Sequence, residues 1–298
     1  MIDYQQGEWA GTTLVWRGTV LARLRARIIA YAGWAAIVSL AAMGRTVAMP
    51  DFGALAHSLV GVAMGMLLVF RTNASYDRYW EGRKRWGGIV ASARSLLRVA
   101  KAHIGDTGPL APLAHGYVVA LKQHLRREAD DAELEAAIGS ELAAAAARRG
   151  DSPLYLATQM SRWVAMRIAA GDLPAPLGRE LEGAITKLLE HQEACERILE
   201  TPVPFAYVVQ IRQLLVFYLM TLPVVLVPMM EWTVIPVTAM VAFAMLGIEE
   251  AGVEIEDPFG TDPNDLPLEQ LCELVRRDVD QLAAIPEDEL SPIRSSAS

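Results

Sequence analysis

Four long uncharged runs, rich in apolar residues, dominate the hydropathy pattern of this chain. They cover residues 28–44, 52–70, 213–230 and 232–248, and each is bounded by charged residues. A helix needs about 17–25 residues to cross the ~30 Å hydrocarbon core of a bilayer, and these runs are 17 to 19 residues long. One such run could be a buried core helix, but four together, with no strand-like alternation between them, predict four transmembrane helices.

The basic residues indicate how these helices are oriented. If all four runs span, the segment 45–51 and the turn at Glu231 share one side of the membrane, where only Arg45 is basic. The other 26 of the 27 Lys and Arg residues lie on the opposite side, which the positive-inside rule assigns to the cytosol. We therefore expect both termini in the cytoplasm.

Between the second and third runs the pattern changes to amphipathic helices. Stretches rich in Ala, Glu and Leu, interrupted by turn-forming sequences at 150–153 and 171–176, predict an all-helical region. The predicted organisation is a cytosolic N-terminal segment, two membrane helices, a cytosolic helical domain, two more membrane helices and a cytosolic C-terminal segment. Their predicted bounds are 1–27, 28–80, 81–204, 205–250 and 251–298.

The composition excludes several classes of protein. Hydrophobic residues make up 53% of the chain, charged residues 21%, and the net charge is −8, which excludes disorder and a nucleic-acid binder that relies on excess positive charge. Cys195 and Cys272 are too few for a disulfide framework and are expected to be free thiols. Because no catalytic motif and no metal-site spacing is present, we predict no enzyme activity, no cofactor and no metal.

The second run carries the most informative pattern. Val62, Met66 and Phe70 recur every four residues and therefore lie on one face of a helix, while Gly61 and Gly65 form a small-residue pair that permits close helix packing. The stripe has two interpretations: it faces lipid or a packed core, or, repeated by symmetry, it lines a hydrophobic constriction that gates by dewetting. The spacing alone does not decide between them.

Arginine and aromatic residues follow this run directly, as in an interfacial belt. The segment RTNASYDRYWEGRKRWG (71–87) and the segment GIEEAGVEIEDPFGTDPNDLPLE (247–269) resemble signatures of the bestrophin family in its bacterial branch. VWRGTVLARL near the N-terminus and ACERILETPVPFAY (194–207) resemble the family as well. The matches run from Val15 to Glu269, so the resemblance covers nearly the whole chain.

The resemblance implies an all-α homopentameric ion channel of the bacterial inner membrane, with four membrane helices per subunit around one pore. It places the narrow neck at Val62, Met66 and Phe70, although family necks usually carry Ile or Phe, from which the first two depart. It also implies a second constriction at the cytosolic exit, lined by an apolar residue, for which we choose Leu177 or Leu181.

The resemblance leaves the ion open. Bacterial members resemble monovalent cation channels, so Na⁺ or K⁺ is the first expectation and chloride is the alternative. Asp51 and Glu231, at the predicted outer ends of spans, would give a negative mouth suited to cations, partly offset by Arg45. A membrane-anchored scaffold or receptor that does not conduct is a further alternative. The expected partners are monovalent ions, the lipid bilayer and copies of the same chain.

Acidic residues cluster after the fourth run. The eukaryotic branch of the family binds calcium in a run of acids just after Asn-Pro-Phe-Gly. Here Asp257-Pro-Phe-Gly is followed by Thr261-Asp-Pro-Asn-Asp265, in which Pro263 and Asn264 interrupt the acidic run. We therefore expect a polar loop and helix cap in this segment, and the sequence does not predict calcium dependence.

Overall fold

The computed structural model describes residues 20–44, 53–105 and 107–286. Within these ranges the chain forms ten α-helices and no β-strand. In chain order the helices are α1 Val20–Met43, α2 Ala54–Ile104, α3 Leu110–Arg126, α4 Asp131–Ile138, α5 Ser140–Ala147, α6 Ser152–Ala170, α7 Ala175–Glu200, α8 Phe205–Met230, α9 Val234–Glu254 and α10 Leu268–Ala283. The predicted all-α class is confirmed.

Three helical stretches are long and apolar enough to cross a membrane. They are α1, α2 and the stretch Phe205–Glu254. The last stretch contains both the third and the fourth uncharged runs. A 3₁₀ turn at Glu231–Thr233 divides it into α8 and α9. Glu231 has a φ of 49°, a left-handed conformation that ends α8. Each of the four uncharged runs therefore lies almost wholly within one helix.

The chain divides into two compact units. Unit 1 contains the described residues up to Trp80, Pro202–Pro258 and Asp262–Asp265. Unit 2 contains Glu81–Thr201, Phe259–Thr261 and the described residues from Leu266 onward. Helix α2 supplies its first part to unit 1 and its second part to unit 2.

The core of unit 1 is formed by all four of its long apolar helices. Helix α1 packs against α8 and α9, which also pack against each other, and α2 adds two buried side chains. The buried members of this core are Leu24, Met64, Leu68, Ile211, Leu215, Tyr218, Leu219, Leu222, Ala242 and Leu246. Only one side of α2 enters this core, and residues on its other side are exposed in the part of the chain that the structure describes.

Helix α3 is central to unit 2. It is buried along most of its length and packs against α4, α6, α7 and α10. Cys195 and Cys272 are buried free thiols in this unit, as expected. Burial raises the pKa of each thiol to about 12, so both remain protonated and unreactive at neutral pH.

Candidate functional site: the exposed face of helix α2

The membrane part of α2 has a buried face and an exposed face. Met64 and Leu68 are buried in the core of unit 1. Val62, Met66 and Phe70 expose 65%, 55% and 58% of their surface. The structure therefore brings the three predicted neck residues together on one face of α2, and the described part of the chain leaves that face largely exposed.

The exposed apolar face continues on both sides of the predicted neck. Each α-helical residue is rotated by about 100° from the previous one, so the further exposed residues Leu55, Leu59 and Val69 fall on the same side as Val62. A contiguous apolar surface of this kind indicates a contact with lipid, with another protein surface or with a pore.

Arg71, directly after Phe70, is turned about 100° away from it and points into the chain. It is 1% exposed, and its guanidinium donates to Glu249 over 2.8 Å and to Glu256 over 3.2 Å. Arg212 donates to the same oxygen of Glu249 over 2.8 Å. The interfacial-belt interpretation is therefore wrong for Arg71, because this side chain is enclosed by acids of α9 and of the segment that follows it.

Glu256 joins three segments of unit 1. Besides accepting from Arg71, its side chain accepts a hydrogen bond from the backbone N–H of Val203 over 3.2 Å, just before α8. Its backbone carbonyl accepts from Arg78 Nε over 3.1 Å. These contacts fix the rotation of α2 about its axis and therefore the direction in which Phe70 points.

The two glycines of α2 differ in their surroundings. A Cβ atom on Gly61 would lie 2.6 Å from the hydroxyl of Tyr218, whereas a Cβ on Gly65 would meet nothing within 4 Å. The close packing predicted for this pair therefore occurs within the chain at Gly61 only. His57 stacks on the ring of Tyr218 with centroids 4.3 Å apart, and its Nε2 lies 3.2 Å from the hydroxyl of Thr221.

The predicted aperture residues also differ. Leu181 is 0% exposed in the core of unit 2. Its assignment to a pore surface is therefore wrong, because a side chain that its own subunit encloses completely cannot line a pathway for ions. Leu177, at the start of the same helix, is half-buried and remains a prediction.

Of the two predicted outer charges, only one can be placed. Glu231 is exposed at the first position of the turn between α8 and α9. Asp51 lies outside the described residues. A ring of carboxylates at this end of the spans therefore remains a prediction.

An arginine of α1 contacts acids at the end of α9 and in the segment that follows it. The Arg23 guanidinium donates to Asp262 over 3.1 Å and lies 3.7 Å from Glu254 and 3.9 Å from Glu250. The buried Asp265 side chain accepts the N–H of Asp262 over 2.7 Å, and burial raises the pKa of Asp265 to about 6. Among the described residues no cluster of three or more His, Cys, Asp or Glu is placed to hold a metal.

Comparison with known proteins identifies the family. The family model described as Bacterial/Fungal Bestrophin protein matches residues 1–281. The chain belongs to the bestrophin family. Bestrophins are ion channels of membranes, so the protein is an ion channel and not an enzyme.

Curated relatives and solved structures agree with this assignment. Voltage-dependent anion channel-forming proteins from Nostoc sp. and Synechocystis sp. are 34% and 32% identical to the chain, each over 93% of its length and 92% of theirs. The structure of a variant of a bacterial bestrophin homologue from Klebsiella pneumoniae matches with a TM-score of 0.84, at 22% identity, over 88% of this chain and 100% of that one. The predicted bestrophin fold is thus confirmed.

The bestrophin signature segments contain the residues that hold α2 in place. Segment 71–87 supplies Arg71 and Arg78, and segment 247–269 supplies Glu249 and Glu256. Sequence reasoning did not pair them. The available signal was Glu249, a carboxylate directly at the end of an apolar run, which requires a partner when it is buried.

Proposed function

We propose that this bestrophin conducts small monovalent ions passively through a pore formed by five copies of the chain. In this proposal Val62, Met66 and Phe70 form the narrow neck, and the protein lies in a bacterial inner membrane with both termini in the cytoplasm. The observation that carries the proposal is the uncovered apolar face of α2, which lies opposite the core of unit 1.

The chemistry of the neck determines how it acts. Its side chains offer no charge and no hydrogen bond to an ion, so a hydrated ion that crosses them loses part of its solvation without replacement. Such a ring sets a barrier by dewetting and does not bind ions. Met66 is flexible and Val62 is small, so this neck is expected to be more deformable than one made of Ile and Phe alone.

Two ion classes are candidates, and we propose anions first. Relatives that cover nearly the whole chain are named as voltage-dependent anion channel-forming proteins, which favours anions over the Na⁺ or K⁺ expected from the sequence. Cations remain the second candidate because Glu231 is exposed at the turn between two spans, where five copies would attract positive ions.

Single-channel recording tests the neck. We expect Met66→Ala and Phe70→Ala to raise the conductance, because a wider constriction lets water follow the ion, and each 1.4 kcal/mol removed from a barrier speeds passage about tenfold. Val62→Ala and Val60→Ala form a matched pair. Both remove the same atoms from exposed positions of α2, but the two side chains point about 200° apart, so only Val62→Ala is expected to change the conductance.

An intact oligomer with parental conductance in all three neck variants would contradict the neck assignment. Reversal potentials in a KCl gradient test the ion class, since a shift toward the chloride equilibrium potential supports anions and a shift toward that of potassium supports cations. In the second case Glu231→Gln is expected to reduce the cation preference. A folded oligomer in liposomes without flux of any monovalent ion would instead support the non-conducting scaffold.

A further inference from the structure

Unit 1 contains a cleft between α1, α8 and α9 with a volume of about 480 Å³. This volume lies within the range of about 300–1,000 Å³ that is typical of small-molecule sites. The walls are mainly apolar and include Tyr31, Trp34 and Met220, whereas Arg27 and Arg212 stand at one end. The cleft therefore combines a long apolar surface with a basic end.

The two arginines are positioned by carboxylates and still have donors to offer. Arg27 Nη1 contacts Glu250 over 3.2 Å, and Arg212 Nε contacts Glu249 over 2.8 Å. Both side chains are more than half exposed. Because a guanidinium has five N–H donors, each arginine can bind a further oxygen ligand without breaking these contacts.

The one carboxylate that lines the cleft is already compensated. Glu249 accepts hydrogen bonds from both Arg71 and Arg212 and is almost completely buried. The charged groups that line this end are therefore two guanidinium groups and one carboxylate, and the unused N–H donors belong to the two arginines. Guanidinium groups match phosphate oxygens in bidentate geometry, so the chemistry favours a phosphate group.

The position of the cleft relative to the membrane indicates which kind of molecule carries the phosphate. Arg27 and Arg212 each stand directly before an uncharged run, at the ends of the spans that the proposed orientation places in the cytosol. The apolar walls extend from there into the membrane-spanning parts of α1 and α8. We propose that this cleft binds an anionic phospholipid of the cytosolic leaflet, with its phosphate at Arg27 and Arg212 and an acyl chain along the apolar wall.

Tryptophan quenching by brominated lipids tests this binding in the intact oligomer. Trp34 lines the cleft and is held there by a hydrogen bond from its Nε1 to the carbonyl of Met220 over 2.9 Å. The chain has seven tryptophans, so the fluorescence of Trp34 is obtained as the difference between the signals of the parent and of Trp34→Phe. The protein is reconstituted in phosphatidylcholine vesicles that contain increasing fractions of phosphatidylglycerol or phosphatidylcholine with brominated acyl chains.

We expect half-maximal quenching of Trp34 at an about fivefold lower fraction of brominated phosphatidylglycerol than of brominated phosphatidylcholine. The variant Arg27→Gln is expected to reduce this preference, and the double variant Arg27→Gln/Arg212→Gln is expected to abolish it. Arg25→Gln is the matched control, because it removes an exposed arginine from the same end of α1 that does not line the cleft.

Equal quenching by the two lipids in the parent protein would overturn the proposal, as would a preference that persists in the double variant. If neither lipid quenched Trp34, another surface would cover the cleft, and this result would also overturn the proposal. The parent comparison needs no substitution and thus does not depend on how well a variant folds. Because quenching is measured without ion flux, the result is also independent of whether the channel conducts.

Discussion

Arg71 is a charged side chain enclosed by two carboxylates, so its removal leaves unpaired buried charge. We expect Arg71→Gln to lower the free energy of unfolding by about 3–5 kcal/mol, because Glu256 loses its guanidinium partner and Glu249 retains only Arg212. Thermal unfolding of the purified protein in detergent measures this change. Arg83→Gln, at an exposed position of the same helix, is the control and is expected to have little effect. Equal unfolding temperatures for the two variants would contradict this role of Arg71.

Asp265 is predicted to make the stability depend on pH. Burial raises the pKa of Asp265 to about 6 in the folded chain, whereas an unfolded Asp titrates near 3.9. The folded state therefore binds this proton more readily. As the pH falls from 7 through 6 toward 4, protonation of Asp265 stabilises the fold, and above pH 6 the ionised carboxylate destabilises it by ~1–3 kcal/mol.

The variant Asp265→Asn isolates this effect, because an amide oxygen can still accept the N–H of Asp262 and does not titrate. We expect the variant to unfold at a higher temperature than the parent at pH 7, and we expect this difference to shrink to roughly a third by pH 4.5. A difference between the two proteins that is constant from pH 4.5 to 7.5 would contradict the raised pKa.

Among the helices, α2 offers a matched pair of glycine substitutions. Gly61→Ala would bring a Cβ to 2.6 Å from the hydroxyl of Tyr218, and this ring cannot move away easily because His57 stacks on it. We expect a loss of about 1–3 kcal/mol in the free energy of unfolding. Gly65→Ala enters open space and should leave the subunit unchanged or stabilise the helix by up to about 1 kcal/mol.

Chemical unfolding of the two variants in parallel measures both effects. If the free energy of unfolding of Gly61→Ala equalled that of the parent, the Tyr218 side chain would have moved to accommodate the added Cβ, and the prediction would be wrong. If Gly65→Ala instead weakened the oligomer without lowering the stability of the subunit, a neighbouring copy would be in contact with that position.

Hydropathy located the apolar part of each membrane helix but not where the helix begins and ends. Helices α1 and α8 begin before Arg27 and Arg212, and α9 continues past Glu249. Hydropathy ended the second run at Arg71, whereas the helix continues to Ile104. A single charge does not interrupt backbone hydrogen bonding when Glu249 and Glu256 neutralise it. Such pairings link residues almost 180 positions apart, which no local pattern contains.

The aperture shows a second limit of sequence reasoning. Helix α7 is amphipathic, and its apolar positions identify the side that is buried. Leu181 belongs to that side and packs within unit 2. A residue that lines a pore is apolar but uncovered in the single chain, and periodicity alone does not distinguish these two environments. For the neck residues on α2, the structure shows that Val62, Met66 and Phe70 are exposed in the single chain, and their place in a pore stays a prediction.

The whole molecule is expected to be a stable oligomer. The described part of one chain leaves the α2 face exposed. In the proposed function this face is only one wall of a pore, so conduction requires several copies. We expect native mass measurement in mild detergent to give a particle five times the mass of the 32.5 kDa chain. A protein that is only monomeric under these conditions, yet folded by thermal unfolding, would contradict the channel proposal.

The anchoring of Arg71 also restricts which insertions and deletions helix α2 can tolerate in its neck region. Each residue gained or lost between Val62 and Phe70 turns Val62 by about 100° relative to Phe70 and to the Arg71 anchor, so that Val62 and Phe70 no longer lie on one face. A change of seven residues restores the alignment to within about 20°. Insertions and deletions in this stretch are therefore compatible with an aligned neck only in steps of nearly whole helical turns, so the distance from the neck to the anchor can change only in discrete lengths.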